Sequence, residues 1–207
     1  IKDILDFLNK IFPDIEIREY ILTLLSSFLD GSTKLEQFHF WTGSGGNGKS
    51  KLVELFDMAI GDYSCKLPVT LLTQKRRRSG EASPELAIAK GKRFACLQEP
   101  EKNVTINAGV LKELTGGDKI MARLLYKNPI EIKPQFKMVL CCNDMPKLPP
   151  NDGGIWRRVR VVEFKSKFVD NPDPNEPREF KKDENLSEKF DNWKEAFIWM
   201  LLKRYQE

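Results

Sequence analysis

The run Phe38-His39-Phe40-Trp41-Thr42-Gly43-Ser44-Gly45-Gly46-Asn47-Gly48-Lys49-Ser50 decides how the rest of the chain is read. From Gly43 onward it fits G-x-x-x-x-G-K-[ST], the phosphate-binding loop, at every fixed position. A loop that cradles a triphosphate turns backbone N–H groups inward, and glycine reaches the required dihedrals without steric cost. Gly43, Gly45, Gly46 and Gly48 are expected to supply that freedom, with Ser44 and Asn47 completing the cradle. The apolar Phe38–Trp41 before the loop reads as a buried strand. After it, Leu52, Val53, Leu55, Phe56, Ala59 and Ile60 recur at helical spacing up to Gly61. The motif's required context, a strand before and a helix after, is therefore present. It implies that Lys49 reaches the β and γ phosphates of ATP, that Ser50 holds Mg²⁺, and that the helix aims its positive end at the anion.

A loop of this kind calls for a carboxylate at the C-terminal end of a neighbouring parallel strand. Phe94-Ala95-Cys96-Leu97 is an apolar run suited to such a strand, and Gln98-Glu99-Pro100-Glu101 follows it. Glu99 is the better placed acid and Glu101 the second. A further strand, Phe136–Cys142, ends in Asn143, which can hydrogen-bond a γ-phosphate or an attacking water without adding charge; a turn-forming Asn fits the same position. Gly153-Gly154-Ile155-Trp156 then leads through Arg157-Arg158-Val159-Arg160 into a final core strand ending at Phe164. Arginine suits charge building on a transferring phosphoryl group, because its planar fork stays charged and donates twice.

Between these landmarks lie two basic segments. Lys75-Arg76-Arg77-Arg78 suits either phosphate contact or a solvated loop, and Ser83-Pro84 behind it reads as a helix start. Ile120, Ala122 and Leu124 alternate before Tyr126-Lys127-Asn128-Pro129, and Ile130 and Ile132 alternate after it, which predicts a hairpin. Its tip, carrying Arg123, Tyr126 and Lys127, suits gripping a single strand of DNA, lysine meeting phosphate and tyrosine stacking on a base; a solvated turn fits the same residues.

Upstream, Ile1, Ile4, Leu5, Leu8 and Ile11 or Phe12 form a helical stripe ending at Pro13. Ile17, Tyr20, Ile21, Leu24, Leu25 and Phe28 form a second, with Gly31 expected to close it. The pair reads as a collar, a cap on the core, or the end of an upstream domain. Residues 171–185, rich in Pro and charge, read as a surface loop or linker before an amphipathic helix marked by Phe190, Trp193, Phe197, Met200 and Leu201. The division expected is a helical segment over 1–35, the ATPase core over 36–170, and a linker with a C-terminal helix over 171–207.

At 207 residues the chain suits one domain with appendages, and 41% hydrophobic against 31% charged residues is near the globular average and favours neither disorder nor a membrane class. No apolar run approaches the roughly 20 residues of a membrane helix. The chain opens on Ile1 inside a helical pattern, as a piece of a longer protein would. A net charge of +4 is too small to argue for nucleic acid alone. Cys65, Cys96, Cys141 and Cys142 lack C-x-x-C spacing and read as buried thiols of an intracellular, reducing compartment. The single histidine, His39, leaves a histidine metal site or triad without ligands and reads as structural.

With these landmarks in order, the chain resembles the superfamily 3 helicases, most closely the helicase part of the primase–helicases of large DNA viruses. The likeness rests on residues 43–50, on Arg-Phe-Ala-Cys-Leu-Gln-Glu-Pro-Glu at 93–101, on Leu-Thr-Gly-Gly-Asp at 114–118, on the strand ending in Asn143, and on Trp-Arg-Arg-Val-Arg at 156–160. It implies an α/β, AAA+-like core with a central parallel sheet, assembled as a homo-oligomeric, usually hexameric ring with ATP between neighbours. It also implies replication as the process, an upstream primase or other replication domain, and host cytoplasm or nucleus as the location. On that resemblance Glu99 is the catalytic acid and a Mg²⁺ partner beside Ser50, and Asn143 is the polar sensor. Arg158 is the finger reaching into the next subunit, with its neighbour Arg157 competing for that role, and the hairpin around Arg123–Lys127 faces the DNA channel. Gln98 stands where some relatives carry a second acid, which shifts more of the Mg²⁺ and water chemistry onto Glu99 and Glu101.

The expected activity is an ATP-driven translocase on single-stranded DNA. Two other classes use the same loop: a small-molecule kinase, which has no need of the basic hairpin or the Asn-tipped strand, and an ATP-switched assembly module, which needs neither Glu99 nor an arginine finger.

Overall fold

Helix α1 (Lys2–Ile11) follows from the helical spacing of Ile4, Phe7, Leu8 and Ile11, all of them buried. Ile1 and Leu5, expected in that stripe, are exposed, and Phe7 takes the inward position instead. The structure, a computed structural model, describes residues 1–74, 82–98 and 104–206. Helix α2 (Ile15–Ser27) is capped by Asp14, whose carboxylate accepts from the Glu16 N–H at 2.9 Å. It ends at Ser27 rather than at Gly31, because Phe28 turns fully into the core and packs 5.9 Å from the Phe56 ring. At Gly31 a Cβ would stand 3.1 Å from the Arg93 guanidinium, a tight contact with the end of a flexible side chain.

Strand β1 (Phe38–Thr42) is buried at all five positions and delivers the chain to the glycine-rich loop and helix α3 (Lys49–Ile60), which Gly61 stops. Next come β2 (Ser64–Leu67), α4 (Thr70–Thr73) and α5 (Pro84–Ile88). Ser83 holds the N-cap position of α5, yet its hydroxyl accepts from the Arg123 N–H at 3.0 Å. Strand β3 (Phe94–Leu97) is wholly buried, and α6 (Ala108–Thr115) starts at Asn107, whose Oδ1 accepts from the Gly109 N–H. The predicted hairpin forms: β4 (Ile120–Ala122) and β5 (Ile130–Ile132) are antiparallel, with Ile120 opposite Ile132 and Ala122 opposite Ile130. Then follow β6 (Lys137–Cys141), α7 (Gly153–Trp156), β7 (Val159–Glu163), β8 (Lys167–Val169), β9 (Glu179–Lys181) and α8 (Leu186–Gln206).

The central sheet is α/β in type and parallel, with strand order β2-β3-β6-β1-β7. Consecutive apolar residues at β3 and β1 follow from burial on both faces. β7 runs in the same sense as β1, since Phe38 N–H donates to Arg158 O and Phe164 N–H to Thr42 O. It is an edge strand with only Val162 buried, not the core strand expected.

The chain divides into two compact units, one of residues 1–29, 41–61 and 162–207, the other of residues 30–40 and 62–161. In the first, α8 lies along α3 and α2 and buries Phe190, Phe197 and Leu201. Phe7 packs 5.7 Å from Phe190, and Phe164 packs 4.7 Å from Phe12 and 5.4 Å from Trp41. The 171–185 stretch, expected as loop or linker, contributes β9, which pairs in parallel with β8 and sets Phe180 beside Phe168. The second unit is built on β2, β3 and β6, with a core that includes Phe38, Phe40, Leu97, Leu111, Phe136 and Leu140.

Candidate functional site

The loop between β1 and α3 owes its shape to three left-handed glycines. At Gly43 (φ +135°) a Cβ would stand 2.5 Å from Asn47 Nδ2 and 2.6 Å from Phe164 O. At Gly48 (φ +87°), the N-cap of α3, it would stand 2.9 Å from the Ile11 side chain. Gly46 (φ +75°) offers its carbonyl to the Phe168 N–H at 2.7 Å. Gly45 is the exception among the four expected to need conformational freedom: its φ is not positive and a Cβ would meet nothing within 4 Å.

Asn47 braces this loop. It is 3% exposed, its Oδ1 accepts from the Lys49 N–H at 3.3 Å and its Nδ2 donates to Phe164 O at 3.5 Å. Lys49 is buried and its ammonium donates to Gly43 O, so the cation is held over the loop's own concavity. Ser44, Gly45, Gly46 and Ser50 are exposed. The first turn of α3 adds unsatisfied N–H groups and the positive end of the helix dipole. Donors converging on a concave backbone with one lysine suit a phosphate chain, and the Ser50 hydroxyl suits a hard cation bound to it. Among the described residues no group of three acidic, histidine or cysteine side chains gathers to hold a metal by itself. The expected acids Glu99 and Glu101, and the basic run Lys75–Arg78, lie outside the described residues.

The second unit carries the polar residues expected beyond the loop. Asn143 is exposed just past the end of β6. Asp152 caps α7, accepting from the Ile155 N–H at 3.2 Å and from Lys112 Nζ at 2.7 Å, and the lysine holds its carboxyl below the usual range. Just past that short helix stand the two arginines, held very differently. Arg158 is 6% exposed; Nε donates to Thr115 Oγ1 at 3.1 Å, Nη1 to Gly154 O at 2.6 Å and Nη2 to Glu36 Oε2 at 2.7 Å. Arg157 has a side chain 64% exposed, and its Nη2 reaches the same Glu36 oxygen at 2.7 Å. Glu36, Lys112, Asp118 and Arg158 border a cleft here. Sequence reasoning missed Glu36 because its partners stand 121 and 122 residues away.

The hairpin tip presents Tyr126, 93% exposed at φ +59°, beside exposed Leu125 and Lys127. Arg123 closes the tip, its Nε donating to Lys127 O at 3.0 Å, while Ser83 N–H donates to Arg123 O at 2.7 Å. His39, in β1 just before the loop, is fully buried. Burial, then the Arg160 and Lys137 charges, push its pKa down to about 3, so the ring is neutral.

A family model described as a family of unknown function (DUF5906) matches residues 41–158, the span from the end of β1 to Arg158. A "putative helicase" of Acanthamoeba polyphaga mimivirus is 46% identical over 214 residues, covering 100% of this chain and 22% of the relative. A "putative helicase" of Frog virus 3 is 36% identical over 96% of the chain and 21% of the relative, and a "putative primase" of African swine fever virus 31% identical over 97% and 21%. The chain thus spans about a fifth of the length of these relatives. Among solved structures, an apo form of the NrS-1 C-terminal region matches with a TM-score of 0.71 at 14% identity, covering 100% of this chain and 48% of that one. That likeness is one of fold. Among the described residues no helix is long and apolar enough to cross a membrane.

Proposed function

We propose that this chain, which belongs to the DUF5906 family, is the ATP-hydrolysing helicase part of a longer viral-type replication protein, translocating on single-stranded DNA as a ring. The observation that carries the reading is the loop itself: left-handed Gly43 and Gly48, the Asn47 brace and the Lys49 ammonium bonded to Gly43 O make a loop suited to a phosphate chain. Likeness along the whole chain to relatives named as helicases and primases of large DNA viruses supports it.

On this reading Lys49 exchanges the Gly43 carbonyl for the β and γ phosphates of ATP, and Ser50 holds Mg²⁺, which neutralises charge on those phosphates when bound. Glu99, with Glu101 second, orients the attacking water, Asn143 hydrogen-bonds the γ-phosphate, and an arginine from the next subunit opposes the developing charge. Little covalent chemistry is asked of the protein, so positioning and charge placement carry the rate. Lys127 and Arg123 supply phosphate contacts at the hairpin tip, and Tyr126 a stacking face.

The test is the ATPase rate with and without single-stranded DNA, on wild type, Lys49→Ala and Lys127→Ala. Turnover should be stimulated by DNA in wild type, be absent in Lys49→Ala, and lose its stimulation in Lys127→Ala. A confirmed ring that hydrolyses ATP but neither binds DNA nor responds to it defeats the helicase reading.

A further inference from the structure

The charged knot after α7 sorts the two arginines by how each is held. Arg158 is buried and spends all three of its nitrogens on Thr115, Gly154 and Glu36. The Thr115 hydroxyl that it uses donates in turn to Leu111 O at 2.8 Å, which fixes the direction of its lone pairs. To leave this pocket, Arg158 would abandon three hydrogen bonds, one of them charge-assisted to the half-buried Glu36 carboxylate. Arg157 has one side-chain partner among the described residues, the shared Glu36 oxygen, and most of its side chain faces outward.

Glu36 is unusual by itself. Its φ is +50°, a conformation that L side chains rarely adopt and that persists where surroundings over-determine it. Its N–H donates to Thr33 O at 2.9 Å, and one oxygen, Oε2, takes both guanidinium groups at 2.7 Å. Arg158 therefore anchors the carboxylate, and the anchored carboxylate parks Arg157.

The geometry points to Arg157, not Arg158, as the guanidinium that enters a neighbouring subunit's nucleotide site, and to Glu36 as the counter-ion in the same chain that holds it until that neighbour docks. The inference rests on the ring ATPase proposed above. A γ-phosphate carries more charge than one carboxylate oxygen already shared with Arg158, so a docked neighbour outcompetes Glu36 for Arg157. An undocked subunit keeps its arginine occupied. Glu36 is thus a positioning residue that ties turnover to subunit contact.

The experiment uses the full-length protein, with kcat, KM for ATP and thermal midpoint measured on Arg157→Ala, Arg158→Ala and Glu36→Gln. Arg157→Ala should keep the midpoint and KM while kcat falls by about 10³-fold or more. Mixing it with Lys49→Ala subunits should restore part of the activity, because one copy brings the loop and the other the finger. Arg158→Ala should lower the midpoint. Glu36→Gln keeps a side-chain oxygen for Arg158 but removes the charge that parks Arg157, so DNA-free kcat should rise several-fold at unchanged KM. Wild-type turnover in Arg157→Ala, or a mixture that restores nothing, overturns the assignment alone, as does a Glu36→Gln kcat that falls with its midpoint. A wild-type protein without ATP turnover overturns the ATPase reading and this inference together.

Discussion

Acidification should weaken this protein through His39 by an amount the structure sets. The ring is fully buried in β1, and burial, with Arg160 and Lys137 adding like charge, lowers its pKa from 6.5 to about 3. Because the folded pKa is depressed, the unfolded chain takes up the proton first as pH falls. The stabilisation is intact above pH 6.5 and is lost progressively as pH drops toward 3. Each unit of pH inside that window costs about 1.4 kcal/mol, so going from pH 7 to 4.5 should cost about 2.5 kcal/mol. That is a large share of the ~5–15 kcal/mol by which domains are stable. Since His39 is the only histidine, urea unfolding at pH 7, 5.5 and 4.5 followed by tryptophan fluorescence, on wild type and His39→Leu, isolates the effect. Carboxylates titrate alike in both proteins and cancel in the difference. Relative to pH 7, His39→Leu should gain about 2.5 kcal/mol on wild type by pH 4.5. Parallel stability curves across the three pH values would falsify the neutral buried ring.

The loop glycines should separate on substitution. Gly48→Ala, which meets Ile11 at 2.9 Å with a left-handed φ, should cost about 1–3 kcal/mol in urea unfolding. Gly45→Ala should stay within about 0.5 kcal/mol, and equal losses at both positions would refute the loop geometry. Tyr126→Asn keeps a residue that tolerates left-handed backbone but deletes the ring, so the fold should hold. Affinity for a labelled single strand, read by anisotropy, should fall by about 1–3 kcal/mol, and unchanged affinity removes Tyr126 from the DNA contact. Thr115→Val leaves Arg158 Nε without its 3.1 Å acceptor and should cost about 1–3 kcal/mol, with Thr115→Ser restoring most of it; a neutral Thr115→Val means the hydroxyl is dispensable.

What could be read from the residues alone was whatever local rules dictate. β1, the loop and α3 are legible because a buried strand, left-handed glycines and a helical stripe each leave their own pattern within a dozen residues. β3 and β6 are legible as apolar runs, and the hairpin as alternation. The misses are decided by partners far away. The end of α2 follows the burial of Phe28 against Phe56, which no capping rule at Gly31 contains. β9 is three residues inside a Pro- and charge-rich stretch, and only its pairing with β8 makes it a strand. Glu36 carries no motif, and its meaning comes from two arginines at the other end of the family match.

Long-range dependence also governs where the chain can be cut. Motif density from 36 to 164 invites a boundary at 170, yet the glycine loop leans on Ile11, Phe164 and Phe168, and α3 lies along α8. Removing 171–207 would take away β9 and expose the surfaces that Phe190, Phe197 and Leu201 cover. At about 1.5–3 kcal/mol for each buried side chain, that loss is about 4.5–9 kcal/mol, comparable to the whole stability of a domain. A chain of residues 1–170 should therefore lose cooperative unfolding and bind a hydrophobic dye, where residues 1–207 do neither. Cooperative unfolding of the shorter chain within about 1 kcal/mol of the longer one would mean that α8 is an appendage. The loop would then be supported by α1 and β8 without it.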